Sequence, residues 1–126
     1  MDTKQKLLDL KIKGYCCSQM IVEMGLEKLG KENRDLVEFS AGLCEGLHCD
    51  RACGAFAAGL CLLYMADPAE AAASLGRDFT EWFEDAFGST ECDELMGGNK
   101  LQGKVEICPD IIESTFEMVS ELLDWD

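Results

Sequence analysis

The longest stretch of this chain without a charged side chain, ACGAFAAGLCLLYMA at positions 52–66, restricts what can surround it. It is shorter than the ~20 apolar residues that a membrane-spanning helix needs, so it is read as part of a soluble core. Gly54, Ala55, Ala57, Ala58 and Gly59 leave little side-chain bulk between neighbouring backbones. Each interior Gly costs about 1 kcal/mol relative to Ala in a helix, and close approach by another helix or a cofactor compensates for it. The stretch therefore predicts a central helix over about 51–66, with Asp50 as its cap.

Helical spacing continues through most of the chain, which contains two prolines and no convincing two-residue alternation. A helix over 3–13 is expected to turn Leu7, Leu8 and Ile12 inward and to stop at Gly14. A second, about 16–29, aligns Cys17, Met20, Ile21 and Met24 on one face. A third, about 33–44, has Asn33 as N-cap and Leu36, Ser40 and Leu43 along one stripe. DPAE opens a further helix with Asp67 as cap, Pro68 at the first helical position and Glu70 completing a capping box. That helix should reach about Phe87, bury Leu75, Phe79, Phe83 and Ala86, and break at Gly76. Ser89 caps a short turn in TECDELM, a glycine-containing loop follows over 97–107, and Pro109 starts a last helix carrying Ile112, Phe116, Val119 and Leu123 inward. The expected fold class is all-α: a single-domain helical bundle over 1–126, of about six helices around a small-residue central helix.

A formal net charge of −14, from 25 acidic and 11 basic residues, argues against nucleic acid and anionic membrane surfaces as partners. The N-terminal MDTKQKLLDLKIKG lacks the apolar core and small-residue cleavage site of a secretory signal, so the protein is read as cytoplasmic. Eight cysteines in a reducing compartment point to metal binding, redox chemistry or simple burial in preference to standing disulfides.

The expected helix starts coincide with cysteines. Cys17 lies in the first turn of the second helix, Cys53 about three residues past the Asp50 cap, Cys92 three past Ser89, and Cys108 at a cap position. Unpaired backbone N–H groups at such places favour negative charge, and thiolate is both the nucleophile and the metal ligand. Cys61, eight residues into the central helix, is read as a packing residue.

Four segments, GYCCSQMIVE, CGAFAAGL, FGSTECDELMG and CPDII, stand in an order that resembles the C_GCAxxG_C_C family of redox-active proteins, over nearly the whole chain. Matched by position, the family's four cysteines correspond to Cys17, Cys53, Cys92 and Cys108. Two departures are visible: Ala58 occupies the closing Gly position of the motif, with Gly59 one later, and Cys44 and Cys49 are additions in GLCEGLHCDRAC. The resemblance implies a helical redox-type protein and supplies no substrate.

Three readings of the thiols remain open at this point. The first is an iron–sulfur cluster held chiefly by Cys17, Cys53, Cys92 and Cys108, with Cys49 and Cys44 as next candidates. The second is metal-free dithiol/disulfide redox, in which Cys49 and Cys53 could sit one helical turn apart and Cys16–Cys17 could close only a vicinal ring. The third is a structural zinc site or a helical interaction domain with inert thiols, although no C-x2-C pair is present. The expected job is electron transfer or cluster chemistry for a redox partner protein, as an oxidoreductase component. His48, beside Cys49, is read as solvated, and it has no orienting partner for hydrolytic catalysis. Arg51 is the cation nearest the motif, and its side chain is expected to face solvent. Glu45, Glu91 and Asp93 are read as surface groups, and the pairs Met20/Met24 and Trp82/Phe83 as core. The small-residue helix is compatible with a homodimer as well as with packing inside one chain.

Overall fold

Asn33 and Asp67 start helices where their side chains can accept from the backbone three residues on. Asn33 Oδ1 accepts from Leu36 N–H at 3.0 Å, and Asp67 Oδ1 from Glu70 N–H at 3.3 Å, with Pro68 at the first helical position. The structure, a computed structural model, describes residues 3–97 and 108–125. Along these residues run α1 (Thr3–Ile12), α2 (Cys17–Leu29), α3 (Arg34–Phe39), α4 (Gly54–Ala66), α5 (Pro68–Glu70), α6 (Gly76–Phe87), α7 (Cys92–Leu95) and α8 (Cys108–Leu122). The described residues contain no strand, only one isolated antiparallel bridge between Ala52 and Glu91. The fold is all-α, and no described helix is long and apolar enough to cross a membrane.

α4 is the central element, packed against α2, α6 and α8. Its small-residue face is filled from within the chain: a Cβ at Gly59 would stand 2.7 Å from Phe79 Cζ and 3.0 Å from Thr115 Cγ2. Met20, Ile21 and Met24 of α2, Leu62 and Leu63 of α4, Phe79 and Phe83 of α6, and Ile112, Phe116 and Val119 of α8 form the core. Burying each such side chain contributes roughly 1.5–3 kcal/mol.

Several sequence expectations are corrected. α3 ends at Phe39 and tightens into a 3-10 turn over Ser40–Leu43. Ser40 Oγ donates to Val37 O at 2.7 Å, a local bond that competes with the α-helical ladder. Instead of a break at Gly76, α5 runs through a wide π turn (Ala71–Leu75) into α6. A Cβ at Gly76 would stand 3.0 Å from Ala71 O, so the missing side chain admits that carbonyl. α1 packs chiefly on α2 and α8, and Ile12 is 76% and Leu8 52% exposed where both were expected inward. Ala86 and Cys61 are exposed as well, on faces of α6 and α4 that no other described element covers deeply.

Candidate functional site

Two short stretches of extended backbone hold the centre of the site. Cys53 N–H donates to Thr90 O at 2.7 Å and Cys92 N–H to Arg51 O at 2.6 Å, flanking the Ala52–Glu91 bridge. Cys53 is thereby the N-cap of α4, and Cys92 the first residue of α7. The expectation that α4 begins at Arg51 under an Asp50 cap does not hold, because Asp50 adopts φ 60° and leaves the helical path. The preceding segment has positive φ at Glu45, Gly46, Leu47 and His48 too, a concentration of left-handed backbone that is rare outside glycine. Gly46 is required there, since a Cβ would meet Arg51 N at 2.5 Å and Cys92 Cβ at 2.8 Å.

Cys17 opens α2 behind Cys16, the extended N-cap residue, whose N–H donates to Gln19 Oε1 at 3.1 Å. Cys108 opens α8, and its thiol reaches toward Met96 Sδ at 3.7 Å. Cys17, Cys53, Cys92 and Cys108 all line one cavity of about 600 Å³. Met20, Met96, Leu7, Ile111 and Ile112 supply much of its apolar wall. Gly54 admits Cys17 to this arrangement: a Cβ there would lie 2.7 Å from Cys17 Sγ, 2.8 Å from Leu43 O and 3.3 Å from Cys44 Cα.

Electrostatics at the sulfurs runs against the simple helix-start argument. Burial pushes the Cys17 thiol up to about 12, with further upward pushes from Cys53 and Cys108 and a smaller one from Cys92, while the backbone N–H of Ser18 pulls it down. Burial likewise raises Cys53, opposed by the backbone N–H groups of Phe56 and Ala55. The amides at the helix starts do face sulfur as expected, but desolvation of a charged thiolate outweighs them.

The remaining cysteines divide sharply. Cys44 lines the cavity but is joined to Cys16 in a disulfide that closes across 28 residues, with Cα atoms 6.3 Å apart. It is thus not a free thiol beside the other four, and Cys16 pairs with it instead of closing a vicinal ring with Cys17. Cys49 is exposed, is not among the residues lining the cavity, and directs its thiol to Gly46 O at 3.6 Å. The left-handed backbone before Arg51 prevents the one-turn register with Cys53 that a longer α4 would give. His48 is exposed, with Nε2 3.2 Å from Ala41 O, and Arg51 is exposed. Glu45, expected at the surface, lines the cavity. Gly54 is one of the small residues expected to allow close approach, and it does so here; Ser18 escaped the sequence reading, since no periodicity or charge pattern marks it.

A family model described as "Putative redox-active protein (C_GCAxxG_C_C)" matches residues 15–122. The chain belongs to this family. No curated protein and no solved structure matches it. The C_GCAxxG_C_C match includes every cysteine of the chain and begins after α1.

Proposed function

We propose that Cys17, Cys53, Cys92 and Cys108 hold an iron–sulfur cluster, and that this C_GCAxxG_C_C protein exchanges electrons, or serves cluster chemistry, with a partner protein. One observation carries the reading: cysteines from four separate helix starts line a single cavity. The donor set is soft and contains the four thiols that a cluster takes. Among the described residues no three His, Cys, Asp or Glu side chains are grouped to hold a metal ion. Cys17, Cys53, Cys92 and Cys108 line the cavity from different sides of the fold without converging on one point.

A cluster bound there supplies reversible one-electron transfer. The chain's own residues do the rest. Gly54 leaves room for Cys17, the amides of Ser18, Ala55 and Phe56 offset charge on sulfur, and the apolar wall limits water. Because Cys17 keeps its proton up to about 12 in the metal-free protein, ligation must displace protons, and loading weakens as pH falls.

The test is anaerobic purification with measurement of iron, zinc, sulfide and visible absorption. Charge-transfer absorption that dithionite bleaches is expected, lost in Cys53→Ser and retained in Cys61→Ser, whose site is exposed and outside the cavity. The reverse pattern overturns the ligand assignment. Colourless protein with stoichiometric zinc would favour a structural metal site, and metal-free protein whose accessible thiols change with reductant would favour dithiol/disulfide redox.

A further inference from the structure

Among the described residues, Cys16 and Cys44 are joined in a disulfide. Both bonded residues line the thiol cavity, yet their exposure is unequal: Cys44 is 4% exposed, whereas Cys16 is half-buried at the N-cap of α2. An approaching reductant therefore meets the Cys16 sulfur first. Behind the bond lies Ser18, fully buried, with Oγ 2.8 Å from Cys44 Sγ and 3.6 Å from Cys16 Sγ. Ser18 donates its one proton to Ser40 O at 2.6 Å, which turns its oxygen lone pairs toward Cys44. In the bonded state the Cys44 sulfur has no proton to give, but once released it becomes a donor facing a waiting acceptor.

We propose that Cys16–Cys44 is a second redox couple of this protein, opened by an external dithiol that attacks Cys16, with Ser18 as the positioning residue that receives the released Cys44 thiol. One sulfur of the dithiol bonds to Cys16 Sγ, the bond to Cys44 breaks, and Cys44 leaves with the electron pair and takes up a proton. The second sulfur of the dithiol then displaces Cys16 from the mixed disulfide. In total two electrons and two protons pass to the protein, and the reductant becomes a cyclic disulfide. The couple is tied to the neighbouring thiols by packing, because Cys17 Sγ and Cys44 Cα both rest against Gly54. Its existence does not depend on whether the cavity holds a cluster.

The test equilibrates the full-length protein, without oxygen, across a series of reduced-to-oxidised dithiothreitol ratios. Samples are then quenched in acid and alkylated, and the peptides carrying Cys16 and Cys44 are weighed by mass spectrometry. Expected is a joint transition of both residues from bonded to alkylated while circular dichroism reports a folded protein. In Ser18→Ala the buried Cys44 thiol loses its acceptor, so the midpoint should move at least about fivefold toward the disulfide. Alkylation of both residues at every ratio, persistence of the bond until unfolding, or bonding to Cys17 or Cys49 instead overturns the couple, and an unmoved midpoint in a folded Ser18→Ala overturns the role of Ser18. If that variant does not fold, the wild-type titration decides the couple, and Ser18→Thr, which keeps the hydroxyl, should hold the wild-type midpoint; a midpoint moved about fivefold in folded Ser18→Thr overturns the role of Ser18. Iron measured on the same samples separates this result from the fate of the cluster reading.

Discussion

At Cys17 the Ser18 amide favours a thiolate, while burial and the sulfurs of Cys53, Cys108 and Cys92 favour the thiol, and the thiol wins. The balance has a consequence for stability. In the unfolded chain the thiol ionises near its ordinary value of 9.0, whereas the folded protein holds the proton up to about 12. Within that window the folded state binds more protons, so the stabilisation is complete below pH 9 and is lost as pH rises toward 12, at no more than about 1.4 kcal/mol per pH unit. Urea midpoints of the metal-free, reduced protein at pH 8, 9 and 10 should fall accordingly, and Cys17→Ala should flatten the decline; an equally steep decline in the variant would show that Cys17 is not its source. At this scale the sequence marks which sulfurs stand at helix starts, since Cys17, Cys53, Cys92 and Cys108 all begin or cap helices. It does not mark their protonation, which depends on desolvation by residues distant in the chain. Cys61 escapes for a related reason: its spacing on α4 is compatible with the core, and only the placement of the neighbouring helices exposes it.

Between elements, the closest approach that bears on the site is α2 against the start of α4. Gly54→Ala would put a methyl group 2.8 Å from the Leu43 carbonyl and 2.7 Å from Cys17 Sγ. Backbone has to shift to receive it, so the substitution should cost about 1–3 kcal/mol in urea unfolding and reduce metal retained at the cavity. A variant of wild-type stability and full retention would remove Gly54 from the account. Helix starts set by local chemistry, such as Asn33 and the Asp67–Pro68 pair, were legible because cap and partner lie within one turn. The true start of α4 was not. Asp50 looks like a cap, but the chain there bends left-handed, and Cys53 takes the cap position after its backbone pairs with Thr90. Hydrogen bonds between segments so far apart in sequence leave no trace in periodicity.

For the molecule as a whole, the Cys16–Cys44 bond restrains the unfolded chain across 28 residues. The chain-entropy argument assigns about 3–4 kcal/mol to a closed loop of that length. Mild reduction should therefore lower the urea midpoint of the folded protein, with Cys16→Ser matching the reduced wild type; an unchanged midpoint on reduction would mean that native contacts, not the cross-link, already restrict the chain. The all-α class was legible from periodicity across the whole sequence, and the gathering of four thiols from their helix starts. The pairing of Cys16 with Cys44 was not, because it depends on where the turn after α3 delivers Cys44.

The wall that α1 contributes to the cavity has one more implication. Lys4, Leu7, Leu8 and Lys11, spaced along one side of that helix, line the cavity from outside the stretch that the family model matches. Substitutions on that side of α1 would reshape one wall of the cavity and leave the matched segment, with every cysteine, unaltered.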